Sequence, residues 1–316
     1  MSTKVSQIKT YKNGAWQDIT KVHDGSGWKN FRGVYSGGVW YELSTCQLWN
    51  IVDECYVQDS DYSNIVQTDD VFDFKFKPDG TKMYQIEAEN DKIIELNLTS
   101  SWDVSNFIVV DSINTAYTSS SGTSKGSIFF KPDGTKMFEN TINSSFQFVI
   151  RELTLSTPWN LSTFTRTGNN FISDMNITNY AEIGNSGTKL YIIGTDDTGG
   201  NPPYEIYQYT LSTAWDVTTS TKDKEVELTE AFDYNLSLHF KPDGTKMYVG
   251  IGGGGKILQY TLSTAWDVGS LSYDGILDVP SNYYNTMYFN PDGTEFFVLP
   301  NFNTNINKMY KYSYSS

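Results

Sequence analysis

The chain has 316 residues with 38% hydrophobic and 15% aromatic content, which excludes a disordered chain because a core can be buried. A formal net charge of -14, from 37 acidic and 23 basic residues, argues against nucleic-acid binding, which needs clustered lysine and arginine. No secretory apolar core stands in the first 30 residues, and no later stretch approaches the ~20 apolar residues that span a bilayer, so neither a cleaved signal nor membrane insertion is expected.

A repeat of 12 residues begins the chain and covers positions 5 to 43. Its aromatic members are Tyr11, Trp16, His23, Trp28, Tyr35 and Trp40. Asn13-Gly14, Asp24-Gly25 and Gly37-Gly38 stand in the middle of successive units and are typical of tight turns between two short strands. The spacing therefore predicts an arm of short β-hairpins over residues 1–43.

A longer unit follows, and its first marker is Phe-Lys-Pro-Asp-Gly-Thr-Lys-Met-Tyr at 76–84. The marker recurs at 130–138 and 240–248, and in weaker form at 183–191 and 289–297. The shared glycines, 49 to 57 residues apart, are Gly80, Gly134, Gly187, Gly244 and Gly293. Alternating apolar residues before a Pro-Asp-Gly turn predict strands, and about 50 residues accommodate four strands of a propeller blade.

Four of the five units also end in a second marker of the kind Leu-Ser-Thr-Ala-Trp-Asp-Val, as at 211–217. The marker tryptophans are Trp49, Trp102, Trp159, Trp215 and Trp266. The fifth unit ends at 314 without its marker, while a spare marker stands at 43–51 with a plausible outer strand at 54–58. We therefore predict an all-β fold: a five-bladed β-propeller over residues 44–316, whose last blade is completed by an N-terminal strand so that no sheet edge stays open.

We interpret the five marker tryptophans as structural residues that pack between neighbouring sheets, rather than as platforms for sugar rings. A large aromatic side chain at one fixed position of every blade is what such packing requires. Loss of a buried one would cost ~3–5 kcal/mol.

The markers also carry a resemblance to known families. The Pro-Asp-Gly units resemble blades of surface-layer and TolB-type propellers across residues 43 to 316, and with the tryptophan marker they look like repeat proteins of marine bacteriophages and environmental bacteria. The arm is similar to the Tyr-x-x-Gly-x-Trp hairpin repeats of phage tail, fibre and other virion proteins across residues 5 to 43. Surface-layer propellers usually have more, shorter blades and a secretion signal, whereas a virion protein is made in the host cytoplasm and needs no signal.

Three other features are interpreted as structural. Residues 250–256 match the start of a phosphate loop, but Ile257 stands where Ser or Thr would hold magnesium, so a flexible turn is predicted. Each Asp-Gly turn offers a single acid, which is too few for calcium and typical of a backbone-binding aspartate. Cys46 and Cys55 are interpreted as buried thiols, with a disulfide as the alternative. With His23 and His239 as the only histidines, neither a metal nor a cofactor is predicted.

Loops that do not repeat are the predicted ligand face, because a rigid scaffold commonly carries its binding residues on loops. The loops between second and third strands and those that lead into each blade should share one face. Its candidate residues are Glu87, Glu89, Asp91, Asp196, Asp197, Tyr204, Tyr283 and Tyr284, with Asn301, Phe302 and Asn303 beside them. This acidic and aromatic face suits a carbohydrate or a divalent ion, while solvated variable loops are the alternative.

The resemblance and the two-part layout predict a non-enzymatic bacteriophage virion protein. Trp16, Trp28, Trp40, Tyr11 and Tyr35 would anchor the arm to tail, neck or capsid, since small hairpins bury too little apolar area alone. The propeller would face outward for host attachment or decoration and bind a surface glycan or protein. Docking of the arm on the propeller itself, or on a sister subunit of a homo-oligomer, is the alternative to docking on another virion protein. The alternatives are a polysaccharide-acting hydrolase or lyase, which would need paired carboxylates, and a bacterial adhesin.

Overall fold

The computed structural model describes residues 9–12, 15–18, 21–23, 28–30, 33–36, 39–42, 48–52, 56–63, 71–87, 91–115, 126–142, 147–173, 177–195, 204–231, 236–251, 255–279, 284–301 and 308–314. Contacts divide the chain into two compact units, Met1–Gln47 and Leu48–Ser316. The division falls four residues after the predicted boundary at 43/44.

The first unit contains three separate two-stranded antiparallel sheets. Its strands are β1 (Lys9–Lys12), β2 (Ala15–Asp18), β3 (Lys21–His23), β4 (Trp28–Asn30), β5 (Gly33–Ser36) and β6 (Val39–Glu42). The register places Tyr11 opposite Trp16, His23 opposite Trp28, and Tyr35 opposite Trp40. The predicted arm of short hairpins is confirmed, and each hairpin has a tryptophan opposite a tyrosine or a histidine.

The second unit contains five four-stranded antiparallel sheets. Blade 1 has β8 (Val71–Phe76), β9 (Lys82–Glu87), β10 (Lys92–Ser100) and β11 (Asp103–Asn114). Blade 2 has β12 (Ser127–Phe130), β13 (Lys136–Ile142), β14 (Phe148–Leu155) and β15 (Phe164–Ile172). Blade 3 has β16 (Ile177–Gly184), β17 (Lys189–Thr195), β18 (Glu205–Leu211) and β19 (Ser220–Glu227). Blade 4 has β20 (Leu236–Phe240), β21 (Lys246–Ile251), β22 (Lys256–Leu262) and β23 (Leu271–Asp278). Blade 5 has β24 (Tyr284–Phe289), β25 (Glu295–Asn301), β26 (Lys308–Tyr314) and β7 (Tyr56–Ser63).

The sheets form a closed ring, because the first strand of each blade contacts the first strands of both neighbouring blades, with β24 returning to β8. Blade 5 joins the two ends of the unit: β26 pairs antiparallel with β7, and Tyr314 lies opposite Tyr56. The predicted five-bladed propeller with an N-terminal strand in its last blade is therefore confirmed.

The Pro-Asp-Gly turn is stabilised from within. The Asp79 carboxylate accepts hydrogen bonds from the Thr81 amide at 3.0 Å and the Thr81 hydroxyl at 2.6 Å, and pairs with Lys77 at 2.7 Å. Burial opposes ionisation here, yet these bonds from Lys77 and Thr81 hold the pKa of Asp79 at about 2. Blades 2 and 4 repeat all three contacts, so the aspartate of the marker stabilises the turn in which it lies.

The tryptophan marker contacts the turn glycine of its own blade. All five marker tryptophans have a positive φ between 61° and 67°, which is uncommon for a bulky residue. In blade 2 the Trp159 amide donates to the Gly134 carbonyl at 3.1 Å, and a Cβ on Gly134 would lie 2.2 Å from the indole. Only glycine fits beneath the ring. Trp49 and Trp159 are buried, while the other three marker tryptophans are half-buried.

The Asp or Asn after each tryptophan caps the next turn. Asn160, Asp216 and Asp267 accept hydrogen bonds from the amide two residues on, at the start of single 3₁₀ turns. The described 3₁₀ turns are Leu161–Thr163, Asn185–Gly187, Val217–Thr219 and Val268–Ser270. Within the described ranges no helix has the length and apolar character to cross a membrane.

Neighbouring blades are joined through the same marker. The Tyr84 hydroxyl of blade 1 donates to the Trp159 carbonyl of blade 2 at 2.7 Å, and the Leu161 amide donates to the Glu95 carboxylate at 2.8 Å. Blade 3 meets blade 4 in the same way, through a 2.7 Å bond from the Tyr191 hydroxyl to the Trp266 carbonyl. The repeat therefore encodes both the blade and its interface.

Blade 5 departs from this pattern at its turn. The Tyr56 hydroxyl accepts from the Trp49 amide at 2.8 Å and donates to the Gly293 carbonyl at 2.5 Å. In the other four blades the tryptophan amide reaches the glycine carbonyl directly, at 2.9 to 3.1 Å. The tyrosine hydroxyl thus bridges the two ends of the propeller unit where the chain is not continuous.

Candidate functional site

The predicted ligand face is described only in part. Glu87 and Tyr204 are buried, and Tyr284 begins β24 opposite Asn301. Asp91 lies in the turn before β10, where burial raises the pKa of its carboxyl group. The predicted residues outside the described ranges are Glu89, Asp196, Asp197, Tyr283, Phe302 and Asn303. Cys46, Cys55 and the glycines at 252–254 also lie outside them. The loop face stays a prediction.

The predicted arm anchor is placed by its strands. Trp16, Trp28 and Trp40 each lie on the second strand of a hairpin, directly opposite Tyr11, His23 and Tyr35. The anchor role of these residues stays a prediction.

A polar site that the sequence did not predict lies at the axis of the propeller. Each blade contributes one residue of its first strand to each of two five-membered layers at the axis. The five first strands are equivalent, because each pairs with the second strand of its own blade in the same register. The Asp73 ring consists of Asp73, Ser127, Tyr180, Ser237 and Thr286. The Glu182 ring, two residues closer to the Pro-Asp-Gly turns, consists of Lys75, Phe129, Glu182, His239 and Tyr288.

Asp73 is held from four sides. Its carboxylate accepts from Lys75 Nζ at 3.0 Å, Thr286 Oγ1 at 2.7 Å and the Ile128 amide at 3.0 Å. Tyr180 Oη accepts from Lys75 Nζ and lies 3.5 Å from the carboxylate. Blades 1, 2, 3 and 5 thus meet at one carboxylate, which is possible only near the axis. Such full hydrogen bonding is what a buried ion pair requires to be tolerated.

The Glu182 ring is less complete. The Phe240 amide hydrogen-bonds to the Glu182 carboxyl group, but its Oε2 atom has no hydrogen-bond partner among the described residues. His239 stacks on Phe289 with ring centroids 5.4 Å apart, and its Nε2 atom likewise lacks a described partner. Two polar atoms from adjacent blades are therefore buried without a hydrogen-bond partner among the described residues.

Burial sets the protonation of both groups. It raises the pKa of Glu182 to about 8, because desolvation outweighs the opposing effects of Lys75 and the Phe240 amide. Burial, aided by the charge of Lys75, lowers the pKa of His239 to about 3. At neutral pH the carboxyl group is therefore mostly protonated and the imidazole uncharged, so Glu182 can donate a proton and His239 can accept a hydrogen bond.

A signal for this site was present in the sequence. The stretch Phe72-Asp73-Phe74-Lys75-Phe76 alternates large apolar residues with charged ones on the first strand of blade 1, which the structure places innermost. Charges at inward positions of a buried strand point to a paired or functional group. Aligning the five repeats on their turn glycines brings Glu182 and His239 to the position of Lys75.

The described residues include no group of three or more His, Cys, Asp or Glu side chains that could hold a metal ion. Lys75 and Asp73 satisfy each other, which leaves proton donation and hydrogen bonding by Glu182 and His239 as the chemistry of the axis.

Fold and axial site together define a five-bladed β-propeller. No known protein-family profile matches the chain, and no curated protein sequence does. Among solved structures it is similar to the calcium-binding protein regucalcin from Agrobacterium tumefaciens, with 11% identity over 82% of this chain and 96% of that chain and a TM-score of 0.48. A putative 6-phosphogluconolactonase from Bacteroides fragilis has 12% identity over 70% and 61% of the two chains and a TM-score of 0.45. A luciferin-regenerating enzyme has 10% identity over 80% and 94%, with a TM-score of 0.47.

The prediction that this chain is not an enzyme is contradicted. Two of these similar propellers are named as enzymes. At about 11% identity the likeness concerns the fold alone, and assigns this chain no substrate.

Proposed function

We propose that this chain is a structural protein of a bacteriophage virion, attached through its hairpin arm and presenting the propeller to the host surface. The observation that carries the proposal is the identical register of three successive hairpins, each with an aromatic pair across its strands. Two-stranded sheets of three or four residues are marginal in water alone, so three in series favour a docking segment.

The propeller supports the outward half of the proposal. Its ring closes through β7 and β26, so a stable scaffold can present variable loops at one face. The partners would be other virion proteins for the arm, and a host-surface glycan or protein for the loops.

The test is a comparison of purified particles. Particles should contain the chain in a fixed ratio to the major capsid or tail protein, and replacing Trp16, Trp28 and Trp40 together by Ser should leave a soluble, folded propeller that is absent from particles. Tyr273→Phe, on an outer strand of the propeller, is an aromatic control that should still assemble. Particles that lack the unaltered chain would refute the proposal.

A second candidate function is action on a polysaccharide, and Glu182 favours it. A carboxyl group with a pKa of about 8 can protonate a leaving group at neutral pH, which is one of the two carboxyl roles in glycoside hydrolysis. Asp73 is 1% exposed and accepts three hydrogen bonds, so Glu182 is the axial carboxyl group with accessible surface among the described residues.

This function is tested by incubating the chain with host-surface polysaccharide and measuring new reducing ends or unsaturated sugar products. Glu182→Gln should abolish product formation because an amide cannot donate a proton in this way. Glu152→Gln, a buried glutamate of blade 2 that also has an unpartnered Oε2 atom, is the control and should leave activity unchanged. Equal activity of the two variants would exclude Glu182 as the acid.

A further inference from the structure

We propose that β11, the outer strand of blade 1, is a dimer interface, at which it pairs antiparallel with β11 of a second copy of this chain. Blade 1 has four strands in each copy, so the pairing joins two propellers through one continuous sheet. The inference concerns the rim of the propeller and does not depend on the role of the arm or of the axial residues.

β11 is an open and apolar sheet edge. It is the last strand of its sheet, where β10 is its pairing partner, and with 12 residues it is the longest strand that the structure describes. Its consecutive residues Ile108, Val109 and Val110 are 62%, 37% and 45% exposed. An edge strand presents unpaired amide and carbonyl groups, and beside exposed apolar side chains these groups are a template for pairing with another chain.

The other outer strands lack this apolar surface at the same place. Cross-strand partners align Ile108 and Val109 of β11 with Thr165-Arg166, Thr221-Lys222, Ser272-Tyr273 and Val57-Gln58. None of these described pairs is apolar at both positions, and β19 has five charged residues among its eight. Charged side chains on an edge commonly prevent pairing, so β11 is the outer strand at which a partner is best accommodated.

The charges of β11 fit a second copy of the same strand. Asp103 and Asp111 are its charged residues, and the seven residues between Asp103 and Asp111 carry no charge. In an antiparallel pair with Ile108 opposite its own equivalent, Asp111 lies opposite Ser105. Asp103 then lies opposite Ile113. Neither carboxylate faces another, so the pairing avoids the like-charge contacts that destabilise neighbouring strands.

This pairing ends at two copies. A two-fold axis relates the two strands, so each copy uses the same edge and each edge is occupied once the dimer has formed. A third copy would find no free β11 edge. The expected assembly is therefore a closed dimer and not an open-ended aggregate.

The net charge of the chain determines how salt acts on the dimer. Each copy carries a formal charge of -14, so two copies repel each other, while the paired strands contribute apolar contacts and main-chain hydrogen bonds. Salt screens the repulsion and leaves these contacts in place. Added salt should therefore strengthen the dimer, whereas an interface held by ion pairs would weaken.

The experiment measures the molecular mass of the full chain by sedimentation over a range of concentrations, at low and at high salt. The unaltered chain should be a dimer whose dissociation constant falls several-fold at high salt. Ile108→Lys places two like charges opposite each other and should raise the dissociation constant roughly tenfold or more. Ile172→Lys makes the same change at a 51% exposed isoleucine of β15, and this matched control should remain dimeric.

A mixing experiment tests the register itself. Ile108→Glu alone should also be monomeric, but an equimolar mixture of Ile108→Lys and Ile108→Glu should form dimers, because opposite charges then face each other. Recovery in the mixture also shows that both variants are folded. A chain that stays monomeric, a dimer that Ile108→Lys retains, equal dissociation by Ile172→Lys, or a mixture without dimers would each overturn the inference.

Discussion

At the scale of single residues, the contact between a glycine and a tryptophan organises every blade. The turn glycines have φ between 71° and 92°, and each supports an indole from the tryptophan marker. The turn position therefore has two requirements: a left-handed backbone conformation, and no side chain that would collide with the indole. Gly168 on β15 meets only the first, since its φ is +82° and an added Cβ would have no heavy atom within 4 Å.

We expect Gly134→Ala to destabilise the chain more than Gly168→Ala does. The second change costs about 1 kcal/mol through backbone strain alone. The first adds a Cβ that would lie 2.2 Å from Trp159, and overpacking costs a further ~1–3 kcal/mol. Urea unfolding of both variants measures the difference, and equal losses would show that the indole moves aside without cost.

Glu182 should make stability depend on pH. Its pKa is about 4.5 in the unfolded chain and about 8 in the folded one, so the folded state holds more protons between these values. The contribution of Glu182 to the free energy of unfolding is therefore most favourable below pH 4.5. It falls as the pH rises and levels off above pH 8. Since Gln does not titrate, Glu182→Gln should gain stability relative to the unaltered chain from pH 5 to pH 8, by up to a few kcal/mol. Parallel melting temperatures across this range would contradict the shifted pKa.

At the scale of elements, what repeats could be predicted and what occurs once could not. The turns, tryptophan markers and blade number follow from local chemistry that recurs in each repeat, so the number of blades and their bounds were accessible from spacing. The axial site depends on single residues of different blades meeting across the ring. Asp73 could be recognised as an unusual inward charge, but its contacts with Ile128, Tyr180 and Thr286 come from ring closure.

Tyr56 is a second feature that occurs once, and its hydroxyl should stabilise blade 5 specifically. Tyr56→Phe leaves the Trp49 amide and the Gly293 carbonyl without this bridge, at a cost of about 1–3 kcal/mol. Burial, which raises the pKa of Tyr56 to about 12, keeps the hydroxyl protonated at any ordinary pH. Hydrogen exchange should accelerate in β7 and not in β18. Tyr273→Phe, at a 40% exposed position, is the control and should change neither.

At the scale of the whole molecule, residues 48–63 belong to the propeller although they follow the arm in sequence. They supply Trp49 and β7 to blade 5. Without them, β26 would present an unpaired edge and the interface of blade 4 with blade 5 would lose its tryptophan.

A chain shortened to residues 48–316 should therefore keep the cooperative thermal unfolding of the propeller, because the arm forms a separate compact unit. A chain shortened to 64–316 should lose this transition or form oligomers through its open edge. Calorimetry and light scattering measure the two outcomes. A monomeric 64–316 chain with an unchanged transition would mean that closure contributes little to stability.

The pairing of Tyr56 with Tyr314 has a consequence for how the molecule is made. A ribosome delivers Tyr56 before any strand of blades 1 to 4, and Tyr314 only after all of them. Blades 1 to 4 can fold in order as they leave the ribosome, while β7 has no partner strand until β26 has been synthesised. Because a contact so distant along the polypeptide forms slowly, closure of the propeller has to wait until β26 has left the ribosome.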